Sequence, residues 1–294
     1  LSDRPHRRAL VAGGLATGLA GLALGASAAP SPKLAGKPRR VVSLNPCLDV
    51  ILVEVADRSQ IAALSHYARE DYGSTIAALA KTLPFTYETA EEVIALQPDL
   101  VLTGRHSSLA TRNALDRLGI PAALFGVPDT VADSLAQVRE IAALVGYPER
   151  GEALVARIEA ALAAAAPRPG TPKLSTLVFM PGGFASGPGT LMDEMMQRAG
   201  LENAAAKYGL KRSMDVPLEF VIADPPDLLM AGEPFPGAPT WRTRVMTHPA
   251  LSHIAAQMKR ATFPERLLFC GGPVLIQTAA ALSSARETAL AISR

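Results

Sequence analysis

Cysteine is almost missing from this chain of 294 residues, which has only Cys47 and Cys270. Two residues cannot form a disulfide scaffold or a thiolate zinc cluster. Aromatic residues are also few, with one tryptophan, five tyrosines and eight phenylalanines. No Gly-x-Ser-x-Gly elbow, His-Glu-x-x-His helix or paired-acid setting occurs, so the chemistries those motifs carry have no support. Phe184 to Thr190 is rich in glycine but lacks the lysine of a nucleotide phosphate loop and the spacing of a dinucleotide fingerprint. It reads as a strand-to-helix loop with exposed amides. An excess of charge of one sign is missing too: 29 basic residues stand against 27 acidic ones, with no basic run. Such a surface has no electrostatic footprint for nucleic acid or for an anionic membrane.

What is present begins with a leader pattern. Arg4, Arg7 and Arg8 precede an apolar stretch from Ala9 to Leu24, and Ala26-Ser27-Ala28 then offers small residues before Ala29. That order predicts a secretory signal over residues 1–29. The Arg7-Arg8 pair hints at twin-arginine export without the residues that usually surround it, so the Sec and twin-arginine routes both stay open. Removing the segment leaves 26 basic and 26 acidic residues, a neutral chain. Roughly 265 residues remain, a length that suits two lobes, and an apolar content of 49% is ample for two cores.

Strand and helix signals then alternate. Val41-Val42-Ser43-Leu44 is a β-branched run ending at Asn45-Pro46, where a helix from Leu48 to Ala56 begins. Further short apolar runs lie at Ile61 to Ser65, Leu100 to Thr103 and Ala122 to Phe125, and Thr130 to Val145 has a clear helical period. This alternation predicts an α/β fold with mainly parallel sheets. Glu92-Val93-Ile94-Ala95-Leu96-Gln97-Pro98-Asp99-Leu100-Val101-Leu102 is echoed 128 residues later by Phe220-Val221-Ile222-Ala223-Asp224-Pro225-Pro226-Asp227-Leu228-Leu229-Met230. The offset is about half the chain beyond the leader, which predicts two similar lobes. Between the copies, Pro148 to Ala166 is dense in helix formers and closed by Pro167-Arg168-Pro169-Gly170. The expected organisation is an N-terminal lobe over 39–147, a connecting helix over 148–168 and a C-terminal lobe over 173–294.

Several phrases, in order, resemble the helical-backbone (class III) periplasmic solute-binding proteins of ABC importers, in the branch for vitamin B12, ferric siderophores and haem. They are Val41 to Pro46, Ile61-Ala62-Ala63-Leu64-Ser65-His66-Tyr67, Ile94 to Leu102 and Leu118-Gly119-Ile120-Pro121, with Phe179 to Thr190 and the second Pro-Asp-Leu unit also fitting. The resemblance implies two lobes on one rigid helix and a ligand cleft between them. It implies a periplasmic, monomeric, non-enzymatic protein with no resident cofactor, delivering an iron-siderophore or cobalamin-type ligand to an ABC permease at the inner membrane. Haem or a transition-metal ion is the alternative cargo, and an exported enzyme on a related two-lobed frame is a further one.

Open α/β sheets bind ligands beyond the carboxyl ends of their strands. In the first lobe this makes Asn45, Cys47, His66, Tyr67, Arg105 and His106 candidates, and the resemblance adds Tyr87. In the second lobe the candidates are Met180, Phe184, Glu233, Phe235, Trp241 and Cys270, with Gly271-Gly272 after it. The tyrosines offer ring faces or phenol oxygens, and Arg105 a partner for carboxylates. His66 and His106 follow different strands of one lobe, but His248 and His253 have no evident approach to a shared metal. Cys47 begins a helix and Cys270 closes the last strand, each on the cleft side of its lobe. Separate thiols, a disulfide and ligand contact all remain open for this pair, a disulfide requiring Cα atoms within about 7 Å. The glutamates by which B12-binding relatives dock on the permease are replaced by Leu109 and Gly189, with Asp193 and Glu194 one turn further along as a shifted contact.

Overall fold

The computed structural model describes residues 32, 34, 36–232, 248–254 and 257–291, with backbone only at 252 and 253. The leader-like segment 1–29 and the candidates Glu233, Phe235 and Trp241 lie outside the described residues.

Strands β1 (Val41–Ser43), β2 (Ile61–Ser65), β3 (Phe85–Thr86), β4 (Leu100–Gly104) and β5 (Ala122–Phe125) form an all-parallel sheet in the order β3-β2-β1-β4-β5. Helices α1 (Pro46–Val55), α2 (Ala77–Ala80), α3 (Ala90–Ala95) and α4 (Leu109–Arg117) connect them. Parallel strands covered on both faces are apolar throughout, and every residue of β1 and β4 is buried. Next come α5 (Val131–Leu144) and α6 (Pro148–Ala165). The second sheet runs β11-β10-β6-β7-β9, with β8 also on β6, from β6 (Leu174–Phe179), β7 (Phe184–Ala185), β8 (Leu201–Asn203), β9 (Met214–Asp215), β10 (Leu228–Ala231) and β11 (Lys259–Thr262). Its helices are α7 (Leu191–Arg198), α8 (Leu218–Ala223), α9 (Pro249–His253) and α10 (Val274–Ala291).

The two-lobed, mainly parallel α/β arrangement is as expected. The exceptions are β7 and β9, which run antiparallel to their neighbours. Gly182 and Gly183, at φ of 85° and 88°, turn the chain back after β6, a conformation glycine adopts without strain. Phe184 to Thr190 is accordingly not an open loop. It contains β7 and the Thr190 cap of α7, and Gly189 N donates to Asp193 at 3.0 Å. A second difference is at the last strand, which is Lys259–Thr262; Cys270 comes later, after a 3-10 turn over Glu265–Leu267.

The internal echo is structural. In each copy a short helix, α3 or α8, leads through Pro-Asp into the strand, β4 or β10, that pairs with the first strand of its sheet. The aspartates do the same job. Asp99 accepts from the amides of Arg39 and Arg40 at 2.7 and 2.9 Å, and Asp227 accepts from Ser175 N at 2.8 Å. Each carboxylate satisfies backbone donors where the first strand of its lobe begins.

The connecting helix α6 starts at Pro148, a favoured first position because the missing N–H would have no partner there. It buries Gly151, Leu154, Val155, Ile158, Leu162 and Ala165 in one stripe. A Cβ at Gly151 would lie 2.6 Å from Ala142 Cβ, so the absence of a side chain lets α6 approach α5. The result is not two separate cores. One continuous apolar cluster runs from α1 and β1 through α5, α6 and α10 to β6 and β10. Smaller clusters cover the opposite faces: Val42, Leu44, Val93 and Leu115 on the first sheet, Leu177, Phe179, Val221 and Leu229 on the second. Alternate faces of each strand thus meet a shared interior and a private outer layer. Arg286 of α10, buried, donates to Ala165 O at 3.0 Å and Ala199 O at 2.6 Å, closing the C-terminal ends of α6 and α7.

Candidate functional site

The five parallel strands of the first lobe deliver most of the predicted residues to one edge. Asn45 follows β1, His66 and Tyr67 follow β2, Tyr87 follows β3, and Arg105 and His106 follow β4. Asn45 is the N-cap of α1, its side chain accepting from Cys47 N at 2.9 Å, and its amide nitrogen packs beside Gly104. Its role in the local structure is therefore defined without a ligand. Arg105 and His106 are exposed, with the Arg105 guanidinium beside Gly126.

His66, Tyr67 and Tyr87 are brought together. The His66 ring lies 3.8 Å from that of Tyr67 and 5.0 Å from that of Tyr87, and Tyr87 meets Phe85 edge-on at 5.4 Å. Arg69 sits over the Phe85 ring at 4.1 Å. Tyr67 is 47% exposed and Tyr87 61%, so this cluster presents ring surface to its surroundings and little of it is used for packing.

Beneath the cluster is a polar group that sequence reading missed. Asp49, on α1 and fully buried, accepts from Ser65 Oγ at 2.6 Å and Ser65 N at 3.2 Å. Burial pushes its carboxyl up to about 8, against the opposing hydrogen bonds of Ser43 and Ser65. Glu88, held at a φ of 70°, is pushed up to about 7 by burial. Its Oε1 lies 3.9 Å from His66 Nδ1, too far for a hydrogen bond, and both atoms are buried without a partner among the described residues. Two carboxyl groups and an imidazole thus sit under the exposed rings. Among the described residues, no three His, Cys, Asp or Glu side chains form a cluster able to hold a metal ion.

In the second lobe Phe184 is half-buried and its ring lies 5.8 Å from that of Phe269, which is 54% exposed. Phe269 was not singled out from the sequence, because Leu267-Leu268-Phe269 reads as a strand whose side chains would be covered. Met180 is turned into the core at 2% exposure, with its sulfur next to Gly232. Cys270 is bonded to Cys47, with Cα atoms 4.9 Å apart, which settles the cysteine alternatives in favour of the disulfide. The bond closes a loop of 223 residues between the lobes. In the chain-entropy picture such a closure contributes roughly 5 kcal/mol.

More contacts line the seam beside the disulfide. Gly272 N donates to Ser134 Oγ at 2.7 Å, Glu194 accepts from Val131 N at 2.7 Å, and Arg212 pairs with Asp129 at 2.7 Å. Glu194 also pairs with Arg198, while Asp193 accepts from Gly189, Gln197 and Asn203. Both acids that offered a shifted docking contact are therefore engaged inside the chain. No helix among the described residues is long and apolar enough to cross a membrane.

The comparisons agree with this architecture. The cobalamin-binding protein of Halobacterium salinarum is 24% identical over 203 residues, 68% of this chain and 55% of its own length. The chain thus spans about half the length of the curated relatives it matches. The periplasmic heme-binding protein RhuT from Roseiflexus sp. RS-1, in apo form, aligns at a TM-score of 0.68 and 25% identity, covering 85% of this chain and 98% of that one. The periplasmic vitamin B12 binding protein BtuF of Vibrio cholerae is similar in fold, at a TM-score of 0.65, 15% identity and coverage of 86% and 98%. Residues 41–261 match the family described as periplasmic binding protein, and the chain belongs to that family.

Proposed function

We propose that this chain is the substrate-binding component of an ABC importer. In this reading residues 1–29 are a leader removed on export to the periplasm, and the lobes over 39–147 and 173–294, joined by 148–168, close on an iron-siderophore or corrinoid ligand. The protein works as a monomer, binds without chemical turnover and delivers its cargo to a membrane permease.

The observation that carries the reading is the His66–Tyr67–Tyr87 ring cluster, both tyrosines exposed, at the carboxyl edge of a parallel sheet, in a chain whose second lobe exposes Phe269 beside Phe184 at the start of β7. Large flat or aromatic-rich chelates are recognised by such ring faces, and an arginine such as Arg105 suits their carboxylates. Asn45 and His106 are given supporting places beside the rings, and Cys270 acts through its bond to Cys47. Met180, turned into the core, is left out of the ligand contacts, and Glu233 and Trp241 stay candidates on the sequence alone. Haem is a second reading, favoured by one observation: the imidazole of His66 and the phenols of Tyr67 and Tyr87, groups that ligate ferric iron, stand together.

Native mass spectrometry of the protein purified from its own periplasm tests the proposal. The expected result is a retained, non-covalent species with the mass and isotope pattern of an iron chelate, a corrinoid or haem. Retention of an unrelated metabolite that is turned over on incubation contradicts it.

A further inference from the structure

Helix α1 holds attachments to the rest of the molecule at both of its ends. At its C-terminal end Arg150 of α6 donates to Val55 O at 3.2 Å and to Asp57 at 2.8 Å, and Arg157 of α6 pairs with Glu54 at 2.8 Å. At its N-terminal end Cys47 is bonded to Cys270 of the second lobe. With a rise of about 1.5 Å per residue, the two attachments are about 12 Å apart along the helix. Between them the second lobe lies directly on α1. A Cβ at Gly272 would fall 2.7 Å from Ile51 Cγ1, and one at Gly271 would collide with Ser134 Oγ. Gly272 N donates to that same Ser134 Oγ in a buried hydrogen bond. The helix itself is held by packing along its length, with Leu48, Val50, Ile51, Leu52 and Val55 all buried.

We propose that α1 is the hinge pin of the two lobes. The disulfide fixes the second lobe to one end of it and α6 grips the other, so closure is a rotation about the α1 axis. A single connecting helix would let the lobes splay as well as rotate, whereas two anchors on one buried rod remove the splay. The floor of the cleft then stays assembled in open and closed states, and opening occurs at the rim. The Asp129–Arg212 pair of the seam, with side chains 51% and 70% exposed, is reached by water and salt and can give way as the lobes open. Keeping the floor assembled pre-organises the cleft, so less ordering is needed when a ligand binds.

Hydrogen exchange read by mass spectrometry tests the proposal on the oxidised protein, the same protein reduced with dithiothreitol, and the C47S/C270S variant. In the reduction the S–S bond breaks, the dithiol supplies two electrons and two protons to give two cysteine thiols, and it closes to its own disulfide. Amides over 131–138 and 268–275 are expected to exchange at least tenfold faster in both disulfide-free forms, while those of β1 and β4 are unchanged. The Kd for haemin or cyanocobalamin is expected to rise about tenfold; this binding arm rests on the solute-binding reading above. Unchanged protection at the seam overturns the hinge pin. So does loss of protection throughout the chain, which would make the bond a staple of the whole fold. Where C47S/C270S does not accumulate as folded protein, the reduced wild type gives the deciding result. If neither probe binds any form, haem and corrinoid cargoes drop out of the solute-binding reading, and the exchange data still decide the hinge.

Discussion

Changing Tyr67 and Tyr87 together to alanine is expected to weaken capture of the probe ligand, haemin or cyanocobalamin, about a hundredfold, while Tm moves by less than about 2 °C. The asymmetry follows from where the rings stand. At 47% and 61% exposure, with ring contacts to His66 and Phe85 among the described residues, they contribute little to the core. Buried against a ligand they would act as aromatic anchors, each worth about 1–2 kcal/mol, and a hundredfold is about 2.7 kcal/mol. The Y67F/Y87F pair separates two roles. Retained affinity assigns recognition to the ring faces, and a loss as large as that of the alanine variant assigns it to the phenol oxygens. Equal binding by wild type and the alanine variant, measured by isothermal titration, would remove these tyrosines from the site.

The second large effect concerns pH and comes from Asp49. Its carboxyl is held up to about 8 by burial, against an ordinary 3.8. The native state therefore keeps a proton that the unfolded chain releases near pH 4. As pH rises from about 4 to about 8 the unfolded state is favoured progressively, so the contribution of Asp49 makes the protein less stable at pH 8 than at pH 5. The full displacement corresponds to at most ~6 kcal/mol, and relaxation around the buried group brings the expected loss to about 3 kcal/mol. In Tm this is about 6–10 °C for a chain of this size. Asp49→Asn keeps an acceptor for Ser65 N and Oγ and has no proton to lose, so its Tm is expected to fall much less over that range and to exceed the wild type at pH 8. Glu88, pushed up to about 7 and half-buried, has a smaller slope of the same sign. Parallel curves for wild type and Asp49→Asn in differential scanning calorimetry would show that the Asp49 carboxyl is not the group responsible.

The parts of the molecule that were legible in the sequence are those set by local rules. Asn45-Pro46 marks the start of α1 because the side chain caps the helix and proline costs nothing at its first position. The stripe of α6 and the runs of β1, β2, β4 and β5 follow from periodicity. The two Pro-Asp-Leu phrases reported a repeat because each aspartate must serve the backbone where its sheet begins. What was not legible depends on distant partners. Asp49 looks like a stray acid in an apolar helix until Ser65 and Glu88 are brought to it. Cys47 and Cys270, 223 residues apart, have no local signal that decides between thiols and a bond. The strands β3, β7 and β9 are two residues each, too short for a period of two to show. Two cores were expected from composition, whereas α5, α6 and α10 fuse the inner faces of both sheets into one.

The central claim is that the cleft binds an intact metal chelate or tetrapyrrole-type ligand reversibly. Isothermal titration of the oxidised protein with cyanocobalamin, a panel of ferric siderophores and haemin tests it most directly. Submicromolar binding at one ligand per chain, for one of these classes, is the predicted result. Absence of binding across the whole panel, by protein shown to be folded and free of retained ligand, would contradict it.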